Sequence, residues 1–363
     1  MLNAERVDAL TTRLRKEIDG GVLPSCSVAV GLNGEVVWAE AFGEATVDTR
    51  FAIFSCTKVL IAEGRVAPSD RVAQHFEEFA AHDKGEITIA QVMTHTSGFP
   101  RAPMGPPRWA DRAWRIQRMA SWRLNWEPGT RFEYHPTSAH WVLAEVIERL
   151  DGRDFRDSVR IRLLEPLGLR RLALGVTVDE QGDIAHLVAT GEAPSNEEIA
   201  AILGVETFEL GEVTPELLLQ FDEPDVMAVG VPGGGAVSTA SDLAAFYQAL
   251  LHNPGDLWDP GILADGTGHI RCTMPDPMTG VAANRSLGLV VAGDDGKAAF
   301  RGMGHNVSPR AFGHNGAAGQ IAWADPDTGL SFCYLTNGID RDFLREARRI
   351  VGVASRAGLL THE

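Results

Sequence analysis

CSVAVGLNGEVVWAEAF, residues 26–42, reads as two strands around a turn. Asn33-Gly34 between them is the strongest short hairpin signal, because both turn positions need a backbone that tolerates positive φ. A second unit of the same kind, QIAWADPDTGLSFCYLT at 320–336, uses DPDTG as its turn. Each hairpin has a helical stretch on its outer side. Residues 3–18 set Val7, Leu10, Leu14 and Ile18 at helical spacing, and DRDFLREARRIVGVASRAGLL at 340–360 is again helical. Helix and hairpin at one end, hairpin and helix at the other, predict that the two termini share one antiparallel sheet flanked by helices. The stretch between is rich in helices and loops. The expected fold class is therefore α/β (α+β), with residues 1–65 and 231–363 forming an α/β domain and 66–230 a helical domain inserted into it.

Composition narrows the function. Of 363 residues, 44% are hydrophobic and 23% charged, which excludes disordered and collagen-like chains. No apolar run is long enough to span a bilayer, and the first twenty residues lack the basic and apolar regions of a signal peptide. A cytoplasmic protein with no membrane partner is expected. The net charge of −16 argues against nucleic acid. Between Arg171 and Arg271 there is no Lys or Arg but 17 Asp and Glu, so the whole acidic excess lies there. Such a stretch reads as a solvated face, or as one that disfavours anionic substrates or meets a basic partner. Cys26, Cys56, Cys272 and Cys333 have no metal-ligand spacing and read as reduced core thiols, so no metal is expected. Residues 101–126 hold Trp109, Trp114, Trp122 and Trp126 among six arginines. Stacked Arg and Trp can wall a pocket, though they more often pack a helix on its neighbour.

A nucleophile is harder to find. GxSxG, HExxH, Walker A and a strand-borne GxGxxG are all absent. Ser55-Cys56-Thr57-Lys58 is an SxxK following the apolar FAIF. If a helix begins at Ser55, Lys58 lies one turn on and on the same face. The helix N-terminus favours negative charge on the serine, and a lysine in a low-dielectric pocket can act as a base or hold a phenol ionised. A serine cap beside an exposed lysine would give the same four letters.

Further motifs decide between these. THTSGFP occupies 94–100, FEYHPTSAHWVLAEVIERLDG 132–152 and LLEPLGL 163–169; PGGGAVSTASDLAAFYQALL occupies 232–251 and FGHNGAAGQIAWADPDTGLSFCYLTNG 312–338. In this order and spacing the chain resembles the serine β-lactamase-like family of class C β-lactamases, DD-peptidases and family VIII carboxylesterases. The resemblance runs from about residue 20 to 345. It implies a β-lactamase/transpeptidase-like fold with its active site in the cleft. It also implies that Ser55 is the acylated nucleophile, Lys58 its partner and Tyr134 the general base. His314-Asn315-Gly316 stands at the third-motif position, where it would bind substrate. The amides of Ser55 and Ala317 would form the oxyanion hole.

Departures from the family pattern point toward esters. His314 replaces a lysine that suits a carboxylate, and a histidine is mostly neutral at pH 7. Pro136 stands where an asparagine usually holds an amide. The expectation is a serine carboxylesterase acting on a small-molecule ester through an acyl-enzyme, with no cofactor. An acyltransferase, an amidase or weak β-lactamase, and a catalytically inactive binding relative are the alternatives; oligomeric state is open. The stretches 43–51 and 58–64 are shorter than the family's, as in a trimmed variant or a sequence lacking residues there. A helix from Ser55 to Glu63 would be about 13 Å long.

Overall fold

The computed structural model describes residues 1–56, 66–105, 107–203 and 213–362. Eleven strands are present among them: β1 Ser25–Leu32, β2 Glu35–Gly43, β3 Phe51–Ala52, β4 Ala173–Leu174, β5 Val188–Thr190, β6 Ala236–Ser238, β7 Val290–Val291, β8 Phe312–Gly313, β9 Ile321–Asp325, β10 Leu330–Thr336 and β11 Gly338–Asp340. The main sheet runs β2-β1-β10-β9-β8-β7, antiparallel throughout. Its centre is the pairing of β1 with β10, which sets Val28 opposite Tyr334 and Val30 opposite Phe332. The two predicted hairpins thus meet edge to edge and join the chain ends in one sheet.

Alternation along these strands explains the layers. Val28, Val30, Phe332 and Tyr334 cluster with Leu10, Leu14, Val353 and Ala357 of the terminal helices Ala4–Asp19 and Phe343–Ala357. The intervening residues Ala29, Cys333 and Leu335 face helix Ala240–His252 and its Leu243, Phe246 and Tyr247. This second face is built of small residues, so the helix sits close. A Cβ on Gly31 would come within 2.5 Å of the Gln248 side chain, and Ser331 Oγ donates to the Ala244 carbonyl at 2.8 Å. Burying each large apolar side chain contributes about 1.5–3 kcal/mol. All four cysteines are buried free thiols, as expected.

Between the two hairpins the described chain carries helices, long loops and short strands, with helix Ser138–Asp151 buried along most of its length. The Trp- and Arg-rich segment packs helix Arg112–Ser121 against it. Arg115 is buried, pairs with Glu148 at 3.2 Å and lies over the Trp141 ring at 5.1 Å. The indoles of Trp109 and Trp122 donate to the carbonyls of Met104 and Pro103. Buried Lys84 donates to the carbonyls of Ala120 and Trp122, closing the end of helix Arg112–Ser121. A small sheet, β3-β6-β4, brings the chain just before Ser55 against the Gly-rich 232–235 stretch. No described helix is long and apolar enough to cross a membrane.

Candidate active site

Ser55 follows β3, and the described residues 54–56 form a 3-10 turn with Cys56 N–H donating to the Ile53 carbonyl at 3.0 Å. Ile53 N–H donates to the Ala236 carbonyl at 3.0 Å, continuing the pairing with β6. Phe54 takes φ +42°, a conformation that a bulky residue adopts only when packing holds it there. Its ring is held by Phe221, edge-on at 5.7 Å, and by Leu218, Ile339 and Ala318. The turn therefore presents Ser55 to the cleft from a fixed base.

Tyr134 comes from a loop 79 residues later and donates its hydroxyl to Ser55 Oγ at 2.7 Å. THTSGFP is what braces that loop. The Glu133 amide donates to the His95 carbonyl and the His135 amide to His95 Nδ1, while the His95 ring lies 4.8 Å from the Tyr134 ring. The His135 ring is tied on both sides. Its Nδ1 donates to the Glu133 carbonyl at 2.6 Å, and its Nε2 accepts from the Phe99 amide and lies 3.1 Å from Ser97 Oγ. This arrangement needs the neutral ring, and burial pushes the imidazole down to about 3. From behind, Gly233 abuts Pro136 and Thr137: a Cβ there would lie 2.6 Å from the Pro136 carbonyl oxygen.

Opposite Tyr134 stands the third-motif segment. The His314 amide is shared between the Ala322 carbonyl and the hydroxyl of Tyr247 at 3.0 Å. The Asn315 side chain donates to the Gly302 carbonyl at 3.0 Å. Gly316 touches the nucleophile strand so closely that a Cβ would come 2.4 Å from Ile53 O. This contact sets the backbone at Ala317 beside the Ser55 turn, where Ala318 shares a cluster with Ala52 and Phe54. Two amides at such a junction can stabilise an oxyanion.

Arg285 also occupies this corner. It is buried at 8% exposure, and its Nη1 donates to His314 Nε2 at 2.9 Å. Its guanidinium lies 5.2 Å from the centre of the Tyr134 ring and 5.7 Å from that of Phe132. His314 Nδ1 in turn bonds the Asn315 carbonyl at 2.8 Å. Tyr134 keeps some surface in the cleft, but burial of its phenol pushes the group up to about 12; the charge of Arg285 and the bond with Ser55 pull the other way.

Residues 8–355 match the model of the Beta-lactamase family. The chain belongs to the beta-lactamase family. Esterase/beta-lactamase LipL of Mycobacterium tuberculosis is 26% identical over 343 residues, 86% of this chain and 76% of that protein. A penicillin-binding protein homolog from Caulobacter crescentus covers 98% of this chain and 99% of its own at 24% identity, with a TM-score of 0.76. A family VIII carboxylesterase does so over the same shares at 21% identity and a TM-score of 0.78. This beta-lactamase-family chain is accordingly a serine hydrolase.

The structure brings Ser55, Tyr134 and the 314–317 segment into one cleft. Lys58 lies outside the described residues. His314, expected to bind substrate, is 5% exposed; its ring accepts from Arg285 and lies 6.0 Å from the Tyr134 ring. Sequence reasoning missed Arg285 and the bracing role of His95 and His135. The two histidines stood inside quoted motifs, whereas Arg285 carries no pattern of its own.

Proposed function

We propose that the protein is a serine carboxylesterase that cleaves small esters through an acyl-enzyme on Ser55. The observation that carries this reading is the 2.7 Å contact between the Tyr134 hydroxyl and Ser55 Oγ. In that contact the phenol is the donor, so Tyr134 must first give its proton to solvent to act as base; Lys58, from the SxxK motif, is the cation assigned to hold the resulting phenolate. Tyrosinate then takes the Ser55 proton as Oγ bonds the ester carbonyl carbon. The amides of Ser55 and Ala317 hold the oxyanion. As the carbon–alkoxy bond breaks, Tyr134 returns the proton to the leaving alcohol. Water attacks along the same path and releases the acid.

Ester is preferred over amide because Pro136 stands where an amide-holding side chain would be needed and has no donor to offer. Similarity to a protein named esterase/beta-lactamase and to a family VIII carboxylesterase supports the same choice. The test is hydrolysis of p-nitrophenyl acetate and butyrate beside a chromogenic cephalosporin, with wild type and Ser55→Ala. Ester turnover that vanishes in the variant, with little cephalosporin cleavage, is expected. Turnover surviving in Ser55→Ala overturns the mechanism, and cephalosporin cleavage exceeding ester turnover overturns the substrate class. Product analysis with added alcohol separates hydrolysis from acyl transfer.

A further inference from the structure

A guanidinium buried without a carboxylate is unusual, because its charge is expensive to take out of water unless something compensates it. Arg285 is such a group. No carboxylate forms an ion pair with it, and its Nε has no hydrogen-bond partner, among the described residues. Its place is nevertheless rigid. The Arg285 amide and carbonyl pair with Cys272 at 3.0 and 3.1 Å, and its side chain is clamped between the rings of Phe132 and Tyr134 and the His314 imidazole. His314 is built to receive it. With Nδ1 bonded to the Asn315 carbonyl, Nε2 carries the lone pair and faces the guanidinium.

What this charge meets is the general base of the proposed mechanism. Among the described residues, the groups facing Tyr134 include Ser55, the Cys56 thiol, the His95 ring at 4.8 Å, the His314 ring at 6.0 Å and Arg285. Those acting on Arg285 are Tyr134, Asp276, Cys272 and His314. Of these described groups, Arg285 is the one that is a cation at every working pH. We propose that Arg285 is a positioning residue for Tyr134, its guanidinium held by His314 against the phenol ring so that the phenolate form is favoured in the cleft. The proposal rests on the reading of Tyr134 as base. A unit charge about 5 Å away at an effective dielectric near 20 moves a proton affinity by roughly two pH units. Burial disfavours the phenolate, and Arg285 offsets part of that.

The test uses Arg285→Gln, Arg285→Lys and Tyr134→Phe with neutral p-nitrophenyl butyrate, reading kcat and KM from pH 6 to 10. In Arg285→Gln, kcat at pH 7 should fall about 10- to 100-fold with KM within about threefold. The acid limb of the kcat profile should move up by about one to two pH units, so that much of the loss is recovered at high pH. Arg285→Lys should restore most of the wild-type profile. A kcat loss equal at every pH, or a change confined to KM, overturns the proposal. If Tyr134→Phe keeps wild-type activity, the base assignment itself fails; if it is inactive while the acid limb of Arg285→Gln stays put, the Arg285 proposal alone fails. Should Arg285→Gln fold poorly, Arg285→Met, which keeps an apolar stem between the rings and drops the charge, takes its place, with tyrosinate absorbance as a second readout. Tyr247 and Tyr334, the other two tyrosines, are buried, and Tyr134→Phe identifies the part of the absorbance signal that belongs to Tyr134. A Tyr134 midpoint that is the same in wild type and in the charge-free variant overturns the proposal.

Discussion

The two walls of the cleft each carry a buried histidine, and they use it differently. On one wall, His135 lies among backbone groups: its ring accepts from the Phe99 amide and donates to the Glu133 carbonyl. On the other, His314 also accepts at one nitrogen and bonds a carbonyl at the other, but what it accepts from is the guanidinium of Arg285. The first histidine is a strut tying THTSGFP to the Tyr134 loop. The second is a clamp that directs a charge toward the Tyr134 ring. Residue type and burial are the same in both, so the partner decides the role.

Breaking the strut should cost most. His135→Ala leaves the buried Phe99 amide and Ser97 hydroxyl without their acceptor and opens a cavity. Denaturant unfolding should show a loss of about 2–4 kcal/mol. His314→Gln, which keeps an acceptor for Arg285, should cost under about 1 kcal/mol by the same assay. Equal losses would erase the distinction between strut and clamp.

The junction between the walls comes next. Gly316→Ala places a methyl against Ile53 O and pushes the 316–318 backbone away from the Ser55 turn. A displacement of about 1 Å at such a site lowers kcat about 100-fold. A loss of that size with a nearly unchanged melting temperature is expected in ester hydrolysis; wild-type kcat would show that the contact does not place the oxyanion donors.

The strut also has a pH response, spread over several pH units. The folded His135 imidazole is pushed down to about 3, while the unfolded group titrates near its ordinary 6.5. Below about pH 6.5 the unfolded chain therefore takes up a proton that the native one refuses. The stability His135 contributes is complete above that pH and is lost as pH falls toward 3, at up to about 1.4 kcal/mol per pH unit. Urea midpoints taken from pH 7 down to 4 should fall in wild type and fall less steeply in His135→Gln. Identical slopes would mean that other groups carry the acid response.

The sequence by itself determined the hairpins at 26–42 and 320–336, the two terminal helices and the sheet they share. These follow from period-two and period-3.6 apolar patterns and from turn residues such as Asn33-Gly34, all of which act over a few residues. Its motifs also identified Ser55, Tyr134 and the 314–317 segment, though not the distance between them. Tertiary structure decided that distance, because Ser55 and Tyr134 meet only when β3 pairs with β6 and THTSGFP ties down the loop. It likewise decided the partner of His314, a cation that nothing in the sequence pointed to. Arg285 could not have been read in advance, since a lone guanidinium over a ring belongs to no periodicity, cap or turn and is fixed by packing across 151 residues of chain.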